Sequence, residues 1–106
     1  MAITSEAELV IYAAGAAEDL SGTGSVANAT ALEVGAFYTL FVGAERVRFR
    51  FGATAPTATT ADAPLGADAV LPFRVDNDSR FIAVIHYDGT TAHVAALLKS
   101  SPGSPT

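Results

Sequence analysis

Residues 46–52 read Arg-Val-Arg-Phe-Arg-Phe-Gly, and this strict alternation constrains the fold more than any other segment. Successive side chains of a strand point to opposite faces, so Arg46, Arg48 and Arg50 share one face while Val47, Phe49 and Phe51 share the other. A helix would scatter both sets around its axis. The segment therefore predicts a β-strand with one face in a core, and it asks what the positive face meets.

The remaining segments follow the same period. "LVIYA" at 9–13 concentrates β-branched and aromatic residues and runs into Gly15, which favours a strand over the helix that the Ser5–Glu8 capping-box spacing alone suggests. Residues 15–25 read as a loop. "ALEVGAFYTLFV" is apolar enough for two short strands meeting near Gly35, and residues 53–69 supply two prolines and many threonines, hence loop and edge strand. "VLPFRV" resumes strand character before the turn residues "DNDS" at 76–79, and "RFIAVIHY" is a further strand. "DGTT" at 88–91 reads as a hairpin corner and "AHVAALL" as the final strand. The expected fold is an all-β, single small β-sandwich of jelly-roll-like type with seven to eight short antiparallel strands. It spans residues 1–98, with 1–30 as an N-terminal arm or a first strand and loop, and residues 99–106 as a flexible polar tail.

Composition narrows the function. The chain has no cysteine, which removes disulfides, thiolate metal sites and cysteine nucleophiles. Six basic against eleven acidic residues leave a net charge of −5, and the four acids of the first 30 residues have no base among them. That balance argues against a general polyanion binder. An RNA-reading sheet also needs aromatics on the nucleic-acid face, whereas here the phenylalanines point away from the arginines. No apolar run reaches the roughly 20 residues of a membrane span, and no basic segment leads into a signal-peptide core. The chain is expected to be made in the cytoplasm and to bind neither nucleic acid nor membrane.

The chemistry-bearing residues do not assemble into a catalytic motif. His86, His93 and Asp88 lie close in sequence but fall short of a zinc set, and "DND" lacks the glycine and glutamate of a calcium loop. No serine lies in a nucleophile elbow, and the carboxylate pairs lie in turns rather than apolar pockets. No metal, cofactor or enzymatic activity is expected. Aromatic platforms for a sugar are limited to Phe37–Tyr38 and Tyr87, with no tryptophan in the chain. The arginine face keeps two uses open. It pairs with acids of its own fold, Glu45 or Asp76 being candidates, or it forms an interface whose partner offers carboxylates.

One resemblance bears on the choice. Gly35 ahead of an aromatic strand, "FRFG" at 49–52, "TATTAD" at 57–62 and "FIAVI" at 81–85 resemble the cadence of small tailed-phage virion proteins across about 70 residues. The resemblance implies a β-sandwich that decorates or cements a capsid by binding the major capsid protein, commonly as a homotrimer. On that expectation the interface residues are Arg46, Arg48 and Arg50, with Leu9 and Ile11 supplying apolar contact, and the protein ends on the virion surface. The alternative is a small ligand- or carbohydrate-binding module or tail accessory protein, using loops 53–68 and 76–79.

Overall fold

The structure, a computed structural model, describes residues 18–100. Among them the chain is all-β, with no helix. The strands are β1 (Glu18–Asp19), β2 (Gly22–Thr23), β3 (Val26–Ala27), β4 (Phe37–Val42), β5 (Val47–Gly52), β6 (Ala63–Leu65), β7 (Val70–Arg74), β8 (Phe81–His86), β9 (Ala92–His93) and β10 (Ala95–Ser100).

All pairings are antiparallel and nested. β5 pairs with β6, β4 with β7, β3 with β8, β2 with β9 and β1 with β10. The chain thus behaves as one long hairpin wound on itself. Cross-pairing of β10 with β4, and of β8 with β5, divides it into two four-stranded sheets, β1-β10-β4-β7 and β3-β8-β5-β6, with β2 and β9 as a separate two-stranded ribbon.

The two sheets form a small β-sandwich because each presents alternate residues to the other. Tyr38, Leu40 and Val42 of β4 and Ala95 and Leu97 of β10 meet Val47 of β5 and Ile82 and Val84 of β8 in one core, closed by Leu20, Leu32 and Val75. Leu20, Leu40, Val47, Ile82 and Val84 have no exposed surface. Each such side chain contributes about 1.5–3 kcal/mol by leaving water. Phe49 and Phe51 point inward as their alternation predicts, and Phe51 meets Phe73 of the opposite sheet edge-to-face at 4.9 Å.

β8 does not alternate in hydropathy, and packing explains why. Ile82 and Val84 enter the core, whereas Ala83 and Ile85 on the outer face pack against Ala58 of the β5–β6 connection. A strand covered on both faces reads as a continuous apolar run. The prolines lie where the ladder tolerates them, Pro64 in edge strand β6 and Pro72 in edge strand β7.

Several expectations need correction. Residues 31–42 hold one strand, not two, because Gly35 takes φ +90° and its N–H bonds Val75 O at 2.8 Å, turning the chain before β4. Residues 15–25 are not all loop, since β1 and β2 find partners in β10 and β9. "DGTT" is not a hairpin corner: β8 lies in one sheet and β10 in the other, so this turn carries the chain between sheets. Its Gly89 adopts φ +83°, and the Asp88 carboxylate accepts the N–H groups of Thr90 and Thr91. The final strand is interrupted at Val94 into β9 and β10. β10 also continues through Lys99 and Ser100, two residues into the segment expected to be tail.

Candidate interaction surface

The arginine face of β5 is largely occupied by the protein itself. Arg48 and Arg50 pair in register with Ile85 and Ala83, so their face is the one crossed by the β5–β6 connection. Ala58 of that connection is anchored by its N–H to Ser25 Oγ at 2.8 Å. Arg48 donates from Nε to Tyr87 O at 3.1 Å and from Nη1 to Asp62 O at 3.0 Å. Arg50 grips Asp62 Oδ1 through Nε at 2.9 Å and Nη2 at 2.8 Å. The guanidinium carbons of Arg46 and Arg48 stand over the Tyr87 ring at 3.9 and 4.0 Å, within cation–π range.

The carboxylate partner is therefore Asp62 rather than Glu45 or Asp76. The Arg50 hydrogen bond, followed by the Thr59 N–H, holds the Asp62 carboxyl below its usual range. Glu45 instead meets His86, and Asp76 folds into its own turn, its Oδ1 accepting the Asp78 N–H and the Ser79 hydroxyl. Of the three arginines, Arg46 is the one left exposed without a hydrogen bond among the described residues. Leu9 and Ile11 lie outside the described residues.

The histidines lie in different sheets and have different partners. His86 reaches Glu45 Oε1 through Nε2 at 3.2 Å and Asp88 through Nδ1, 3.0 Å from its N and 2.9 Å from Oδ1. His93 is buried, with Nε2 on Leu20 O at 2.8 Å. Among the described residues, no three His, Asp or Glu side chains converge as a metal-ligand group. The Asp88 carboxyl is driven far below its usual range by the Thr91 hydroxyl and the N–H groups of Thr91 and Thr90.

Of the aromatic platforms, Tyr38 is buried in the core and its hydroxyl accepts the Glu33 N–H at 3.1 Å. Tyr87 lies under two guanidinium groups. Phe37 is open, at 45% exposure, and it belongs to a surface that sequence reasoning missed. On the outer face of the β4–β7 pair stand Phe37, Val70, Pro72 and Arg74, with Phe37 opposite Arg74 in register and Phe41 opposite Val70. Val34, 46% exposed, precedes this face across Gly35. A cleft of about 410 Å³ lies between Val34, Gly35, Arg74, Val75, Asp76 and Asn77, so it includes part of the 76–79 loop.

The signal for this surface is present in "VLPFRV". Its alternation puts Leu71 and Phe73 inward and leaves Val70, Pro72 and Arg74 together on the outside. Fold and surface together define a small β-sandwich with two open apolar side chains, Phe37 and Val70, on the outer face of the β4–β7 pair, Val34 just before that face and Val94 elsewhere, between β9 and β10. The chain matches no protein-family model, no curated protein and no solved structure in comparison with known proteins.

Proposed function

We propose that this chain is a structural virion protein that decorates or cements a phage capsid by binding the major capsid protein, and that the outer β4–β7 face is its seat. The observation that carries the reading is that Phe37 and Val70, each about half exposed, stand on the outer face of the β4–β7 pair, Phe37 opposite Arg74 and Val70 at the far end of β7, with half-exposed Val34 just before the face. Large apolar side chains exposed on a surface with an arginine have the composition of a protein interface. The nested strand pairing supports the jelly-roll form of sandwich that the resemblance to small tailed-phage virion proteins implies.

The mechanism is adhesion by many modest contacts. Copies seated on a repeating lattice, singly or as trimers, gain total attachment by multivalency although each interface is ordinary. Prolines in both proline-bearing edge strands limit strand addition, so the face rather than these edges is the contact.

Two measurements test the proposal. Antibodies raised against the purified chain should label the capsid surface of the virus particles that encode it, and light scattering should return a trimer mass in solution. Purified particles lacking the chain by mass spectrometry would sink the virion reading. A monomer that binds an immobilised glycan and is absent from particles would establish the ligand-binding alternative.

A further inference from the structure

The chain has six cationic side chains, all within the described residues, and five of them have assigned company. Arg50 pairs with Asp62 and Lys99 with Glu33. Arg48 spends two donors on carbonyls, Arg80 is half-buried with Nε on Leu32 O at 3.2 Å, and Arg46 lies over Tyr87. Arg74 differs. It is exposed, its one hydrogen bond is a long one from Nε to Gly35 O at 3.4 Å, and it forms no ion pair with a described carboxylate.

Its surroundings prepare it for a partner. Arg74 and Gly35 line the cleft together, Arg74 Nη2 lying at van der Waals distance, 4.0 Å, from where a Cβ on Gly35 would stand. Val34 and Phe37 flank it with half-exposed apolar surface. Asp76 shares the cleft, but Oδ1 of its carboxylate is taken by the Asp78 N–H and the Ser79 hydroxyl. These bonds, the Ser79 hydroxyl first, hold the carboxyl below its usual range and keep it ionised.

We infer that Arg74 is the charged anchor of the β4–β7 face and that it receives a carboxylate side chain, flanked by apolar residues, from an extended segment of the partner protein. The inference rests on the reading of this face as the seat. It names what the seat takes: the guanidinium's free Nη groups bind the carboxylate as a fork, while Phe37 and Val34 cover the neighbouring apolar side chains. A single carboxylate suits the site better than a polyanion, because Arg74 offers one positive charge while Asp76 in the cleft and Asp78 in the same turn repel each further negative one.

The test is an amide and arginine-Nε NMR titration of the full chain with the peptide acetyl-Val-Glu-Leu-amide, with acetyl-Val-Gln-Leu-amide as the uncharged counterpart. The expected result is a set of shifts confined to residues 34–37 and 74–77 and to the Arg74 Nε–H. Binding should weaken about five- to tenfold for the glutamine peptide, or when Arg74→Gln is titrated, the loss of one charge-assisted pair. Arg46→Gln should bind as the unaltered chain does. Equal binding of the two peptides, shifts centred elsewhere, or no shifts at all overturns the inference. The two proposals fail separately. Unlabelled particles with the peptide shifts intact refute the capsid role, whereas labelled particles with no shifts at the cleft refute the anchor.

Discussion

Asn28 gives the sharpest test of how the two halves of the nested pairing are joined. It is 2% exposed, just after β3, and all three of its hydrogen-bonding bonds go to backbone. Oδ1 accepts the Ile82 N–H at 2.8 Å, and Nδ2 donates to Thr30 O at 2.7 Å and to Arg80 O at 3.3 Å. Asn28→Ala strips the partner from an N–H in the core strand β8 and from Thr30 O, while Arg80 O keeps the Leu32 N–H at 2.8 Å. A buried group left unsatisfied costs about 1–3 kcal/mol, donors more than carbonyls, which retain a second lone pair. Counting the N–H near the top of that range and the shorter carbonyl bond near the bottom, the loss is about 3–4 kcal/mol. In a domain of this size the melting temperature should fall by roughly 15–25 °C. Urea unfolding followed by far-ultraviolet circular dichroism measures the loss, with an unchanged denaturant slope showing that the unfolded state is the same. Asn28→Asp sharpens the test. It keeps the acceptor for Ile82 but turns a second oxygen toward two carbonyls, so it should be as unstable as the alanine variant near neutral pH and partly recover when protonated. A loss below about 1 kcal/mol for Asn28→Ala would refute the reasoning, because it would mean these bonds are readily replaced.

Arg48→Glu removes two hydrogen bonds to carbonyls and the stacking on Tyr87, so it should cost about 2–4 kcal/mol in denaturant unfolding. A variant as stable as the original chain would show that the arginine face is free after all, as an interface role for Arg48 requires. Gly89→Ala forces a side chain into φ +83° and puts its Cβ 2.8 Å from Thr60 Cγ2, so about 1–2 kcal/mol should be lost, and Gly89→Asn should lose less in the same melt. Asp88, Asp62, Asp76 and Asp19 all titrate below the ordinary carboxylate value in the folded chain. Their stabilisation is present above the unfolded value of about 3.9 and is lost as pH falls through the lower folded values. The melting temperature should therefore be level from about pH 7 to pH 5 and drop below about pH 4, and Asp88→Asn should flatten that drop.

What the chain determines by itself is local. "RVRFRFG" specifies a strand and the face that Val47, Phe49 and Phe51 turn inward, because alternation belongs to the backbone and needs no partner to be visible. "DNDS" and "DGTT" specify turns for a similar reason, since aspartate side chains bond N–H groups two or three residues on. What only the tertiary structure decides is who meets whom. Two-residue strands such as β1 and β2 carry too short a pattern to be read, and they exist because β10 and β9 lie beside them. The turn at Asp88–Gly89 has the chemistry of a hairpin corner whether the next strand pairs back or crosses to the other sheet. The arginines show the same division. Alternation puts Arg48 and Arg50 on one face, but the path of the 53–62 connection delivers Asp62 to them, while Arg74, in a less conspicuous segment, is left on an open apolar face. Periodicity is fixed by bonds between neighbouring residues, whereas the covering of a face depends on contacts between residues distant in the chain.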